Sequence, residues 1–153
     1  MEILRPATPD DWEALNDLCR QVQQLHVSWR PDIFCSAQIP YPMEYLLEDI
    51  KAEAIFCAEM NGEVVGSVRC YTWTANGEGS VPSKVLDIDD ITVDQQYRHR
   101  EIGQRIMADV KQIARDKGCN DIQLSVYPQN DAAVRFYEAC GFRVRNIRYQ
   151  MYL

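Results

Sequence analysis

Three stretches of this 153-residue chain hold side chains in patterns that could do chemistry. The first is Asn130-Asp131-Ala132-Ala133-Val134-Arg135-Phe136-Tyr137-Glu138-Ala139-Cys140-Gly141-Phe142. Ala133, Phe136, Tyr137 and Cys140 share one helical face, at i, i+3, i+4 and i+7. A phenol titrating near about 10 keeps its proton at neutral pH and can give it to a leaving thiolate, whose conjugate acid titrates at about 8.5 to 10. Tyr137 therefore reads either as a general acid or as a core aromatic with its hydroxyl bonded, and periodicity does not choose. The second stretch is Ile88-Asp89-Asp90-Ile91-Thr92-Val93 followed by Tyr97-Arg98-His99-Arg100-Glu101-Ile102-Gly103-Gln104: a strand, a tight basic loop and a helix start. Such a start leaves N–H groups unpaired with the positive dipole end behind them, which suits a pyrophosphate. An ordinary strand-to-helix connection with basic surface residues explains the same letters. The third is the acid run Asp87, Asp89, Asp90 inside that strand, where acids are normally depleted. An amine must lose its proton before it attacks, and a carboxylate is a natural acceptor. In a regular pleat Asp89 points with Ile91 and Val93, and Asp90 with Ile88 and Thr92, unless a bulge intervenes. Solvation, or pairing with Arg143 or Arg145, is the competing account of these acids; Asp89 stands narrowly ahead of Asp90 as the base.

The elements that must position these residues follow from periodicity and turn chemistry. A short strand runs from Glu2 to Arg5. Thr8-Pro9-Asp10-Asp11 opens a helix reaching about His26, with apolar residues at Trp12, Leu15, Leu18, Cys19, Val22 and Leu25. Val27 to Pro42 is irregular and holds Trp29, Phe34 and Tyr41; Met43 to about Ala52 is a second helix. Strands Ala54–Met60 and Glu63–Trp73 flank the hairpin turn Asn61-Gly62. Asn76–Ser80 loops into a strand from Lys84 to Val93, and a helix runs from about Glu101 to Lys117. Asp121–Tyr127 is a strand, Asn130–Cys140 a helix and Phe142–Leu153 a last strand. The fold class is α/β of the α+β type, one domain over 1–153. A mixed, mostly antiparallel sheet is flanked by about four helices.

With 16 basic against 23 acidic residues the net charge is −7, which disfavours nucleic acid and anionic membranes. No leader or membrane span is visible, so the expected location is the cytoplasm. The six cysteines match no metal or redox spacing and read as buried free thiols. His26 and His99, the only histidines, suggest no metal site; His26 reads as packing or capping beside the irregular loop.

The pairing of Val93-x-x-x-Tyr97-Arg98-x-x-x-Ile102-Gly103 with Asn130-x-x-Ala133-x-x-Phe136-Tyr137-x-x-x-Gly141-Phe142 resembles the GNAT superfamily of acyl-CoA-dependent N-acyltransferases. The element order agrees over nearly the whole chain. The resemblance implies acetyl-CoA as co-substrate and no metal. The co-substrate would lie in a V where the strand ending at Val93 splays from Asp121–Tyr127. Main-chain groups of Ile91 and Val93 would meet the pantetheine, and the loop Arg98, His99, Arg100, Glu101, Ile102, Gly103, Gln104 the pyrophosphate. Asn130 and Tyr137 would lie beside the thiol end, and Ala133 of the same motif belongs to the cofactor-binding set. It also aligns Asp89 and Asp90 with an acidic pair seen in several members. Family loops carry glycine where this chain has Glu101, so a lapsed binding or regulatory module on the same fold is the alternative to transfer of an acetyl or short acyl group. The acceptor would be a small-molecule or peptide amine, and the acidic surface tilts slightly towards a cationic one. The last strand could offer an edge to a second copy of the chain.

Overall fold

The structure, a computed structural model, describes residues 3–153, so the start of the first expected strand at Glu2 lies outside the described residues. One five-stranded sheet carries the fold, in the order β1 (Leu4–Pro6), β2 (Ile55–Met60), β3 (Glu63–Ala75), β4 (Ser83–Val93), β5 (Asp121–Leu124). The first four are mutually antiparallel and β5 joins β4 in parallel. Helices α1 (Trp12–Trp29) and α2 (Met43–Lys51) belong to one side, and α3 (Ile102–Asp116) and α4 (Asp131–Ala139) to the other. This is the expected mixed sheet with four helices.

Local chemistry explains the boundaries. The Thr8 start is a 3-10 turn at Pro9–Asp11 in which the Asp11 carboxylate accepts from Thr8 N at 2.7 Å and Thr8 Oγ1 at 3.0 Å. Arg5 forks onto the same carboxylate, donating from Nη1 and Nη2 at 2.9 and 2.8 Å, which holds the Asp11 carboxyl down at about 2. Helix α1 runs past His26 to Trp29, so the irregular segment begins later than expected. Asn130 caps α4 by accepting from Ala133 N at 3.2 Å, as its position in the sequence suggests.

Two apolar layers sandwich the sheet. Val68, Cys70, Leu86 and Ile88 pack with Ile102, Ile106, Met107, Val110 and Ala114 of α3; Leu15 and Leu46 pack with Ile55 and Cys57 on the opposite face. Gly66 sits where a Cβ would come within 2.6 Å of Thr92 O, so only glycine lets β3 approach β4 there.

Two expectations are corrected. Strand β5 stops at Leu124 rather than Tyr127, and residues 142–153 form no strand ladder among the described residues. Their apolar and polar residues alternate as a strand requires, but among the described residues no strand pairs with them. All six cysteines are free as expected, but only Cys57 and Cys70 are buried; Cys19, Cys119 and Cys140 are half-buried and Cys35 is exposed.

Candidate active site

Strand β4 positions the site through one irregularity. Its register with β3 reads Arg69↔Asp90 and then Cys70↔Ile88, so Asp89 is an extra, bulged residue. The bulge inverts the pleat. Leu86 and Ile88 before it and Ile91 and Val93 after it all pack in the α3 layer, though their numbers differ in parity. Asp90 and Thr92 consequently face the α1 side, where Thr92 Oγ1 donates to Asp90 Oδ2 at 3.1 Å. The regular-pleat expectation, with Asp89 beside Ile91 and Asp90 beside Ile88, is corrected by this bulge.

The two carboxylates have different surroundings. Asp89 is half exposed and bound by the Arg69 guanidinium, so the expected competitors Arg143 and Arg145 are not its partners. Asp90 is half-buried, and desolvation raises its pKa against the opposing pull of Thr92 and Arg69. His26 lies near enough to feel that charge; burial lowers its pKa and Asp90 partly offsets this. The His26 ring stacks on Phe34 at 4.8 Å, with Tyr127 at 5.7 Å and Trp29 at 5.9 Å. This aromatic wall joins the end of α1, the following loop and the segment after β5.

Across the gap stands Tyr137, on α4. Its ring meets Phe136 and Phe142 at 5.4 and 5.7 Å. Its pKa is raised by burial first and by the negative charge of Asp90 second. Tyr41, Tyr71, Tyr97 and Tyr152 all donate their hydroxyls to carboxylates. Among the described residues the Tyr137 hydroxyl has no such partner, so it is not a core aromatic with a satisfied phenol.

Strand β4 pairs with β5 only over Val85–Ile88 and then continues alone on that side to Val93. This is the splayed V. Its floor is the main chain of Ile91 and Val93, where Val93 O already accepts from Arg98 Nε at 3.2 Å. Beyond it the basic loop turns through two left-handed residues, His99 at φ 63° and Glu101 at φ 60°. Helix α3 starts after Glu101, and its first N–H with an acceptor among the described residues is Arg105 onto Glu101 O at 3.1 Å. The N–H groups of Ile102, Gly103 and Gln104 precede it at the positive end of the helix. Arg100 stacks 5.3 Å over the Tyr97 ring. Gly103 lies against α4, where a Cβ would sit 3.3 Å from the Phe136 ring. A cleft of about 250 Å³ runs between α3 and α4, lined by Gln104, Met107, Lys111 and Phe136 among others. Unpaired amides, two arginines and a splayed strand fit a pyrophosphate joined to an extended pantetheine arm.

The sequence reading missed the group that holds Arg69. Asp49 of α2 accepts from the Tyr41 and Tyr71 hydroxyls, each at 2.6 Å, and lies 3.7 Å from Arg69 Nη1. Arg69 also rests 5.7 Å over the Tyr41 ring. The available signal was the one arginine of a strand whose other charge is Glu63 at its very start, lying beside an acid-rich strand. Ala133, by contrast, enters only as the residue capped by Asn130. Among the described residues no three His, Cys, Asp or Glu side chains cluster as a metal site, and no helix is long and apolar enough to cross a membrane.

A splayed mixed sheet, with a basic helix start at one end of the V and an unbonded phenol beside it, defines the class of acyl-CoA-dependent transferases. The chain belongs to the Acetyltransferase (GNAT) family, which it matches over residues 20–142. It is similar to the glucosamine 6-phosphate N-acetyltransferase of Trypanosoma brucei brucei, at 32% identity over 58% of this chain and 57% of that protein. The chain spans about half the length of the curated relatives it matches. Its fold is shared with the tetramutant of the BH1408 protein from Bacillus halodurans, at a TM-score of 0.93, 24% identity and 99% coverage of both chains. It is also shared with the aminoglycoside N-acetyltransferase AAC(6')-Iy in complex with CoA, at a TM-score of 0.70, 21% identity and coverage of 97% and 93%.

Proposed function

We propose that this protein transfers an acetyl or other short acyl group from acyl-CoA to a primary amine, by direct attack within a ternary complex. The observation that carries the reading is the Tyr137 hydroxyl, without a hydrogen-bond partner among the described residues and close enough to half-buried Asp90 to feel its charge, beside the stretch of β4 that β5 leaves unpaired. In this reading the amides at the start of α3, with Arg98 and Arg100, hold the pyrophosphate, and the free edge of β4 holds the pantetheine.

Asp90 is the better base. Asp89 is engaged by Arg69 and half exposed, whereas desolvation gives Asp90 a raised proton affinity closer to working pH. It takes the amine proton directly or through a water. The amine lone pair then forms the C–N bond at the thioester carbonyl, and the C–S bond breaks with its electron pair on sulfur. Tyr137 supplies the hydrogen bond and finally the proton that sulfur needs, and the second proton, released by nitrogen as the amide forms, restores the phenol through water. Because the pKa of this phenol is raised, transfer to a thiolate is uphill. Its main contribution is therefore a hydrogen bond that strengthens as charge develops on sulfur. Asp49, Tyr41 and Tyr71 keep Arg69 in place and the Arg69–Asp89 pair fixed beside the base.

The amine enters from the α1 side, between the His26–Phe34–Tyr127 wall and the outer face of β3 and β4. Tyr71 and Trp73 line that face with Asp87 and Asp89, so an acceptor carrying a second positive charge is favoured. The test is CoA-thiol release from acetyl-CoA with a panel of polyamines, amino sugars and lysine-bearing peptides. Turnover of at least one amine that disappears in Tyr137→Phe supports the reading. Binding of acetyl-CoA with no release from any primary amine would refute it.

A further inference from the structure

Arg69 stands opposite Asp90 in the β3–β4 ladder, yet it does not bind it. The two are Cα partners in the register. Directly opposed residues of an antiparallel pair share one face, with Cβ atoms about 4.5–5.5 Å apart, so an ion pair is within reach. The guanidinium is instead turned to other acids. Nε and Nη2 donate to the carboxylate of the bulged Asp89, Nε at 2.9 Å, and Nη1 lies 3.7 Å from Asp49 Oδ2. Among the described residues Asp90 has no ion pair, and its side-chain hydrogen bond comes from Thr92 Oγ1.

Asp49 is itself firmly held. It is buried, and a buried carboxylate is costly unless its oxygens are bonded. The Tyr41 hydroxyl donates to Oδ2 and the Tyr71 hydroxyl to Oδ1, each at 2.6 Å. Tyr41 is fixed in turn by Asn16, which accepts from Tyr41 N at 3.1 Å and donates to Tyr41 O at 2.9 Å. Helix α2 packs over β2 through Leu46, and β4 is the other neighbour of β3. Asp49 therefore draws on the guanidinium from the side of the sheet away from Asp90.

We infer that Asp49 is a positioning residue: together with Asp89 it withholds Arg69 from Asp90 and leaves that carboxylate unpaired, free to meet the amine. The inference rests on the reading of Asp90 as the base. An ion pair would occupy the oxygen lone pair that has to take the amine proton. The ionisable groups that share charge with Asp90 are Cys19 and His26 of α1, Arg69 of β3, Asp89 of β4 and Tyr137 of α4. Of these Arg69 alone is a permanent cation. Where its guanidinium sits thus governs how readily Asp90 takes a proton.

The test is a double-mutant cycle read by carbon NMR titration of the Asp90 carboxylate in the free protein, alongside the pH–rate profile. Asp49→Asn should release Arg69 to Asp90 and lower the Asp90 pKa by about 1–3 pH units, with the acid limb of the profile moving down alongside it. Adding Arg69→Gln removes the cation and should erase that drop. Asp89→Asn, at an exposed position that does not endanger folding, should act in the same sense and depend equally on Arg69. An Asp90 titration unmoved by both asparagine variants would overturn the inference. So would a drop of the same size with and without Arg69, because the two acids would then act on Asp90 only as like charges. A drop that needs Arg69 but leaves the acid limb in place would confirm the hold on the arginine and refute Asp90 as the base.

Discussion

Glu101 occupies a left-handed conformation, φ 60° and ψ 7°, at the residue that opens α3. Two separable costs meet there. An L-residue in this region gives up about 1–2 kcal/mol, of which glycine's greater freedom in the unfolded chain returns about 0.5–1. Glu101→Gly should therefore stabilise the fold by about 0.5–1 kcal/mol, raising Tm by about 2 °C. The second cost is charge. The side chain is exposed, so a water-like dielectric applies, and a carboxylate about 5 Å from one phosphate charge opposes binding by about 1 kcal/mol, or roughly fivefold in Kd. Glu101→Gln separates the two, because it keeps the left-handed residue and removes the charge. Calorimetric titration of acetyl-CoA at low salt should show both variants binding about fivefold tighter than wild type, with the advantage shrinking as salt screens it. Only the glycine should raise Tm. A glutamine variant that binds no tighter at low salt would refute the placement of the pyrophosphate at this loop. Absent binding in the wild type, restored by glycine, would identify the chain as a lapsed module on the family's fold.

Tyr137→Phe should leave acetyl-CoA affinity unchanged while lowering turnover about a hundredfold, and unchanged turnover would remove the tyrosine from the chemistry. Asp90→Asn should abolish the acid limb of the pH–rate profile and at the same time raise Tm at neutral pH. The sign follows from the raised native pKa: the native state binds the proton more tightly than the unfolded chain, so the site favours folding below the unfolded carboxylate value of about 4. That contribution is lost as pH rises through the native pKa, so the gain in Tm on replacing Asp90 should vanish in acid. Asp11 has the opposite sign. Arg5 holds it at about 2, so stability should fall as pH drops from about 4 towards 2, and Asp11→Asn should flatten that limb in acid titrations followed by circular dichroism. Gly66→Ala puts a Cβ 2.6 Å from Thr92 O and should cost about 1–3 kcal/mol in denaturant unfolding.

Helix and strand identities were legible because each buries one face, and the 3.6-residue period of α3 and the 2-residue period of β4 on either side of its bulge record that burial in the order of residues. The placement of candidate residues was legible where they are neighbours in the chain: the loop 98–104 before α3, the Asn130 cap and Tyr137 on α4. It was not legible where distant segments meet. Asp49, Tyr41 and Arg69 come from three elements, and nothing in any one of them announces the other two. The terminal segment shows the same limit from the other side. Its alternation reads as a strand, but pairing needs a partner edge that the chain does not fold back to provide.

The bulge at Asp89 shows how this fold reconciles packing with chemistry. Leu86, Ile88, Ile91 and Val93 must all enter the α3 layer, and an unbroken pleat would send two of them to the wrong face. One inserted residue solves that and leaves two consecutive acids with different fates: Asp89 is turned outward to Arg69, and Asp90 is carried onto the α1 face beside Thr92. A carboxylate kept half-buried against its own solvation preference weakens the fold at neutral pH. Such a cost persists where function requires it. The decisive signature is therefore a pair of opposite effects in one variant: an Asp90→Asn protein that is more stable and less active locates the base, whereas one that is more stable and equally active makes the half-buried acid incidental to the chemistry.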